Sequence, residues 1–351
     1  MNLSDCDYVL PQALVAQEPL AEREASRLLV LDRDTGALEH RAFSELPSFL
    51  RPGDLVVLND TRVLPARLVG RKPSGGKIEL LLVSDDEPKG GSGVWRCLIA
   101  SSRPPKAGVA FALGEGFFGE VLERAGETWR VRLTDVSGDP RARIESLGVM
   151  PVPPYIRRAP EDPRLLRDRE RYQTVFARHT GSIAAPTAGL HFTTRLLREM
   201  EASGARLGWL TLHIGLGTFQ PIRVALVEEH RMHREAFELP ESTAAAVEET
   251  RRAGGRVVAV GTTVVRVLES RARATGAVTP GSGWCDLFIL PGYRFRVVDA
   301  LVTNFHLPRS TLLLLLCAFA GRERVLAAYE EAIRRSYRFY SYGDAMFVRS
   351  G

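Results

Sequence analysis

Five of the seven histidines in this chain lie between His191 and His306, at His191, His213, His230, His233 and His306. Imidazole titrates near neutrality and carries a proton in either direction. A group of them therefore suits general acid–base chemistry, metal binding, or hydrogen bonding inside a core. His230 and His233 have the spacing of one helix face, but there is no HExxH arrangement and no His–Cys–carboxylate set to complete a site. Proton transfer and ligand contact are the preferred readings, and no metal is expected.

The surroundings of these histidines narrow the chemistry. In TLHIGLGTFQP (211–221) an apolar run passes into His213, Gly215, Gly217, Thr218 and Gln220. Glycines there let a ligand approach the backbone, although a tight turn without a ligand fits as well, and the third glycine of a dinucleotide fingerprint is missing. In VGTTVVRVLES (260–270) Thr262 and Thr263 open a helix whose free N–H groups can hold a carboxylate or phosphate. Either threonine also serves as a plain cap. Arg266 is a further binding candidate, with pairing to Glu269 three residues on as its structural alternative. In VTNFHLPRST (302–311) a strand runs out into Asn304 and His306. The loop AAPTAGLHF (184–192) supplies Thr187, Gly189 and His191, and FYSYGDAMF (339–347) supplies Tyr342 and Asp344. Phe339 and Phe347 are read as core.

The elements that must position these groups follow from periodicity. Residues 66–71, 77–83, 94–100, 109–113, 119–124 and 128–134 are short strand-like runs divided by turn residues, the pattern of a small antiparallel barrel. From about residue 192 helix and strand alternate: helix to 202, strand 207–212, helix 242–253, strand 256–260, helix 263–274, strands 286–290 and 300–304, then one or two helices over 309–335. Strand-like runs at 27–31 and 54–58 match this later half. The expected fold is a discontinuous α/β domain, layered or a partial barrel with a mostly parallel sheet, over 1–65 and 150–351, with a small β-barrel inserted over 66–149. Ligands of such sheets gather at the carboxyl ends of strands, where these motifs lie.

Composition sets bounds. Apolar residues are 45% and charged residues 25%, as in an ordinary globular protein. Only four of the 47 basic residues are lysines, and arginine suits bidentate phosphate contact. Arginine is also spread along the whole chain, as codon preference alone would leave it, so basicity decides nothing by itself. The cysteines Cys6, Cys97, Cys285 and Cys317 are far apart, against a disulfide framework or a Cys-based zinc site. The N-terminus lacks a signal-peptide pattern, and the longest apolar stretch, 312–320, is about half of what a bilayer requires. A cytoplasmic protein is expected.

LNDTRVLPARL (58–68), SGGKIELLL (74–82), MPVPPYI (150–156), RYQTVFA (171–177), EHRMHRE (229–235) and PGYRFRVVDALVTNFHLPRST (291–311), with the motifs above and in this order, closely resemble the S-adenosylmethionine:tRNA ribosyltransferase-isomerase family of queuosine biosynthesis. Departures are local: HTGSI at 179–183, Val264 and Arg234. The resemblance implies S-adenosylmethionine as a consumed substrate with no separate cofactor, and a tRNA carrying 7-aminomethyl-7-deazaguanine in its anticodon as partner. It implies adenine, methionine and epoxyqueuosine-tRNA as products, with a single chain as the expected working unit. His213, His306 and His191 become candidates for base and acid, and Asp344 for holding the amine or orienting a histidine. Gly215, Gly217, Thr262, Thr263, Thr187, Gly189, Thr218, Gln220, Arg266, Asn304 and Tyr342 become candidates for binding. Arg62 and Lys77 are candidates for RNA phosphate. Two rival readings are a methyltransferase using the same donor, which would yield S-adenosylhomocysteine and no free adenine, and a tRNA-binding protein without turnover.

Overall fold

The computed structural model describes residues 2–85, 93–159, 161–219, 224 and 226–351, the side chains of Thr218 and Phe219 excepted. The chain begins with β1 (Arg27–Asp32), β2 (Leu38–Ala42), β3 (Leu55–Asn59) and β4 (Thr61–Val63). A six-stranded closed antiparallel barrel follows: β5 (Arg67–Arg71), β6 (Lys77–Asp85), β7 (Val94–Ser101), β8 (Ala110–Gly114), β9 (Phe117–Ala125) and β10 (Thr128–Asp135). Buried and exposed residues alternate along β6 and β8, and the inward set (Leu68, Ile78, Leu80, Phe111, Val121, Val131) fills the barrel.

Helices α1 (Pro140–Leu147) and α2 (Arg164–Arg171) lead to β11 (His179–Ser182), which pairs with β4 in a two-stranded sheet. Then come α3 (Thr194–Ala202), β12 (Arg206–Leu212), β13 (Glu235–Leu239), α4 (Glu241–Arg252), β14 (Val257–Val260), α5 (Thr262–Ala272) and β15 (Gly281–Cys285). The chain closes with β16 (Ala300–Asn304), α6 (Thr311–Ala320), α7 (Arg322–Arg334) and β17 (Ala345–Arg349). Nine strands form the main sheet in the order β15-β13-β12-β3-β14-β16-β17-β1-β2.

The sheet is mixed, which corrects the mostly parallel expectation. β12, β3, β14 and β16 run parallel, as does the β1–β17 pair, but β17 is antiparallel to β16, and β2, β13 and β15 add antiparallel edges. The central strands are apolar because both faces are covered: every residue of β3, β14 and β16 is buried. Helix α6 (TLLLLLCAFA) is apolar all round and correspondingly buried, while α7 buries the stripe Val325, Ala328, Tyr329 and Ala332. Thr193 Oγ1 caps α3 by accepting from Leu196 N at 3.1 Å. The run 286–290 is not a strand; the strand is Gly281–Cys285 just before it, paired to β13 alone.

Candidate active site

A cavity of about 680 Å³ opens beyond the carboxyl ends of β14 and β16. Gly261, at the end of β14, has φ +92, a left-handed conformation open to glycine and costly for other residues. It turns the buried strand directly into α5, so Thr262 and Thr263 come to the cavity wall at the helix N-terminus. Asn59 Nδ2 donates to Thr263 Oγ1 at 3.2 Å. Thr187, from the 184–192 loop, lines the same wall.

Asn304 ends β16 and is 2% exposed. Its Nδ2 donates to the Tyr340 carbonyl at 3.2 Å and to His191 Nε2 at 3.1 Å, and approaches the Asp344 carbonyl at 3.5 Å. Rotating the amide would set oxygen against two carbonyl oxygens, so the orientation is determined. His191 Nε2 is then the acceptor, and its protonated Nδ1 donates to Ser26 Oγ at 2.7 Å. Asn304 Oδ1 is left buried with no partner among the described residues. A buried orphan acceptor on a cavity wall is a binding position for an N–H or O–H donor.

His306 also lines the cavity, with Nε2 at 2.8 Å from Thr303 Oγ1. Burial pulls its pKa down to about 3, so the ring is uncharged near neutrality. The threonine hydroxyl can donate or accept, so either tautomer is supported. The His306 amide donates to Tyr329 Oη, and Tyr8 Oη donates to the His306 carbonyl, fixing the backbone. Tyr155, Tyr172, Phe305 and Tyr340 face the same space, and among the described residues no Asp or Glu lines it. Burial raises the Tyr155 phenol to about 12 and pushes Tyr172 and Tyr340 up as well, so these rings stay neutral. Aromatic faces attract a cation without a carboxylate. Tyr340 and Arg309, both on this wall, have φ of +71 and +55, two of the three non-glycine residues in the left-handed region among the described residues.

The expected residues are only partly brought together. His306, Asn304, Thr187, Thr262, Thr263 and Arg266 line the cavity. Arg266 does not pair with Glu269. Its guanidinium is bound to Glu235 and to the Leu287 carbonyl at 3.1 Å, while Glu269 accepts from the amides of Arg296, Val297 and Val298. His213 lies elsewhere: Ile214 is on the cavity wall, its neighbour His213 points away, and Nδ1 meets Thr61 Oγ1 at 2.8 Å. Burial foremost, then the nearby His179, lowers its pKa.

Among the described residues the Asp344 carboxylate bonds to no histidine. Its carboxylate takes Arg27 N at 2.9 Å, the Arg27 guanidinium and Arg338 N at 2.8 Å. Gly215 N is spent on Glu235 Oε1 at 3.0 Å, and Gly217 packs against His233. Gly189 packs against Phe176 and Thr174. Tyr342 donates to Asp168 Oδ1 at 2.9 Å and lines a separate notch with His191. Lys77 is exposed beside Glu79 at 3.7 Å, and Arg62 is exposed on β4; neither lines the cavity. Thr218 belongs to a 3-10 turn, Leu216–Phe219, its side chain outside the described residues, as is all of Gln220. Among the described residues no cluster of three or more His, Cys, Asp or Glu is placed to hold a metal ion. No helix of the described residues is long and apolar enough to cross a membrane.

Sequence reasoning missed Tyr155, Thr303, Tyr340 and Ser341 as wall residues. Tyr155 lies in MPVPPYI, quoted above only for the family resemblance, and its hydroxyl meets Ser341 Oγ at 2.7 Å across the cavity.

A family model described as queuosine biosynthesis protein matches residues 3–348. The chain belongs to this family. The S-adenosylmethionine:tRNA ribosyltransferase-isomerase of Geotalea uraniireducens is 54% identical over 349 residues, 99% of this chain and 100% of the relative. The protein of that name from Anaeromyxobacter is 56% identical over 351 residues, 99% of each. The crystal structure of S-adenosylmethionine tRNA ribosyltransferase from Thermotoga maritima aligns with a TM-score of 0.55 at 38% identity, covering 98% of this chain and 100% of that one.

Proposed function

We propose that this protein transfers the ribosyl moiety of S-adenosylmethionine to the 7-aminomethyl-7-deazaguanine base of a tRNA anticodon and isomerises it, giving epoxyqueuosine-tRNA with release of adenine and methionine. The observation that carries the reading is identity above 50% along the whole length of relatives bearing that activity as their name. The donor is consumed, so the reading needs no further cofactor. Cytoplasmic tRNA and a single acting chain complete it, with residues 66–149 as an inserted domain.

The cavity has the size range of small-molecule sites and is large enough for a nucleoside joined to an amino acid. Its neutral aromatic wall suits a sulfonium, and the start of α5 suits the methionine carboxylate. A sulfonium acidifies the adjoining C5′–H. His306, uncharged and held by Thr303, is assigned the removal of that proton and its delivery to the departing adenine. Loss of adenine opens C1′ to the base's amine, and expulsion of methionine closes the epoxide. Asn304 Oδ1 is assigned an N–H donor of the donor or of the incoming amine. His191 acts through Asn304 as a positioning residue.

The test is incubation of the protein with S-adenosylmethionine and tRNA bearing the aminomethyl base, with adenine and methionine quantified. Equal release of both is expected. S-adenosylhomocysteine without free adenine would instead identify a methyltransferase, and tRNA binding without either product a non-catalytic protein.

A further inference from the structure

Behind the His191–Asn304 contact lies a shallow notch of about 20 Å³, lined by Arg23, Arg171, Arg338, His191, Ser341 and Tyr342 among others. Arg23 comes from a 3-10 turn near the N-terminus, Arg171 from the end of α2, and Arg338 from the segment between α7 and β17. Their partners are backbone carbonyls. Arg23 donates to Leu190 and Glu170 at 3.1 and 3.2 Å, Arg171 to Ala21 at 2.8 Å, and Arg338 to Glu18. Carbonyl oxygens leave the positive charge uncompensated. Arg171 Nε and Arg338 Nη1 are buried without an acceptor among the described residues. A guanidinium donor buried in that way is costly unless something supplies the missing oxygen.

Electrostatics agree with the geometry. Burial, then the neighbouring Arg171, lowers Arg23, and burial, then Arg23 and Arg338, lowers His191. Glu170 and Glu22 offset this in part for Arg171, and Asp344 and Glu18 for Arg338, but Asp344 is already tied to Arg27.

We propose that the notch binds one phosphate group, with oxygens accepting from Arg171 Nε, Arg338 Nη1 and the Arg23 guanidinium, and that in the working complex this is a backbone phosphodiester of the RNA substrate. The space holds little more than a water-sized sphere or two, at about 10–15 Å³ each. One or two phosphate oxygens enter it and the ester bonds stay in solvent; a base does not fit. Arginine forks match phosphate oxygens in just this way. Ser341 lines both the notch and the cavity, so a phosphate held here is one side chain from the space assigned to the reacting amine. The inference rests on the RNA-modifying reading, and a free inorganic anion shares its chemistry.

The test uses the full chain without donor, inorganic phosphate as a probe, and an anticodon stem-loop RNA. Phosphate is expected to raise the melting temperature of the wild type but not of Arg171→Gln, and to compete with the RNA. Arg171→Gln and Arg338→Gln are each expected to weaken RNA binding about tenfold and to lower the slope of log K against log salt by about 1. In turnover, the rise in KM falls on the RNA and not on the donor. A wild-type salt slope in both variants, or a KM rise confined to the donor, overturns the assignment. Phosphate protection with RNA affinity unchanged would mean a free-anion site, which also overturns it. Should a variant fold poorly, competition on the wild-type chain decides, and its absence overturns the proposal. Because these are binding measurements, failure to release adenine would sink the proposed reaction and leave this result standing.

Discussion

Asn304 Nδ2 lies 3.1 Å from His191 Nε2, and this contact joins the wall of the cavity to the floor of the arginine notch. The amide cannot turn over without opposing the Tyr340 carbonyl, so its oxygen is held toward the place where a ligand donor is assigned. Replacing Asn304 by Leu keeps much of the volume and removes the acceptor. Adenine release should fall by about tenfold to a hundredfold, the effect of losing a hydrogen bond in a buried site. Steady-state rates on the purified variant check this, and wild-type rates would remove Asn304 from the site.

His306 and His191 should behave differently. His306→Gln is expected to cut the rate constant of adenine release by about 10²–10⁴ with little change in donor KM, as for a group that moves a proton. His191→Gln should act on KM first, because its ring reaches the cavity only through Asn304. Equal and parallel effects on both constants would show that the two histidines are not divided in this way. His213→Ala, which alters a contact with Thr61 away from the cavity, should leave the donor KM unchanged.

Acid stability follows from the same two rings. Each has a folded pKa of about 3 against an ordinary value near 6.5. The unfolded chain therefore binds protons that the folded chain refuses between these values. Stability is complete above about pH 6.5 and falls with decreasing pH, by at most about 1.4 kcal/mol per pH unit for each histidine. Urea titrations at pH 7.0 and 5.5 measure the slope. The double variant His191→Gln, His306→Gln should flatten it; an unchanged slope would contradict burial in the neutral form.

Asp168 and Arg158 are paired at 2.6 Å with both side chains 1% exposed, and Asp168 also accepts from Tyr342. Asp168→Asn leaves a buried guanidinium without its counter-charge. The expected cost is about 3–5 kcal/mol, read as a lowered denaturation midpoint at unchanged slope. Tyr342→Phe removes one hydrogen bond and should cost about 1 kcal/mol.

Local pattern made some of this legible in the sequence and non-local contact hid the rest. The barrel strands could be read because inward and outward residues alternate and turn residues separate them, as in KIELLLVSD of β6. The apolar runs of β14 and β16 were equally plain. The edge strand Gly281–Cys285 was obscured by its Gly-Ser-Gly start, while the more apolar 286–290 drew the assignment. The opposed directions of His213 and Ile214 follow from extended backbone, in which neighbours alternate, but only the fold decides which one faces the cavity. Arg23, Arg171 and Arg338 come from three distant parts of the chain, and no spacing rule unites them.

β17, residues Ala345–Arg349, is seated between β16 and β1, parallel to one and antiparallel to the other. During synthesis the β1–β2 hairpin therefore emerges first and must wait for almost the entire remaining polypeptide before it can join the sheet. Until the five residues of β17 leave the ribosome, two rows of backbone amides stand unpaired, and a nascent chain that stalls short of them has no way to finish its main sheet.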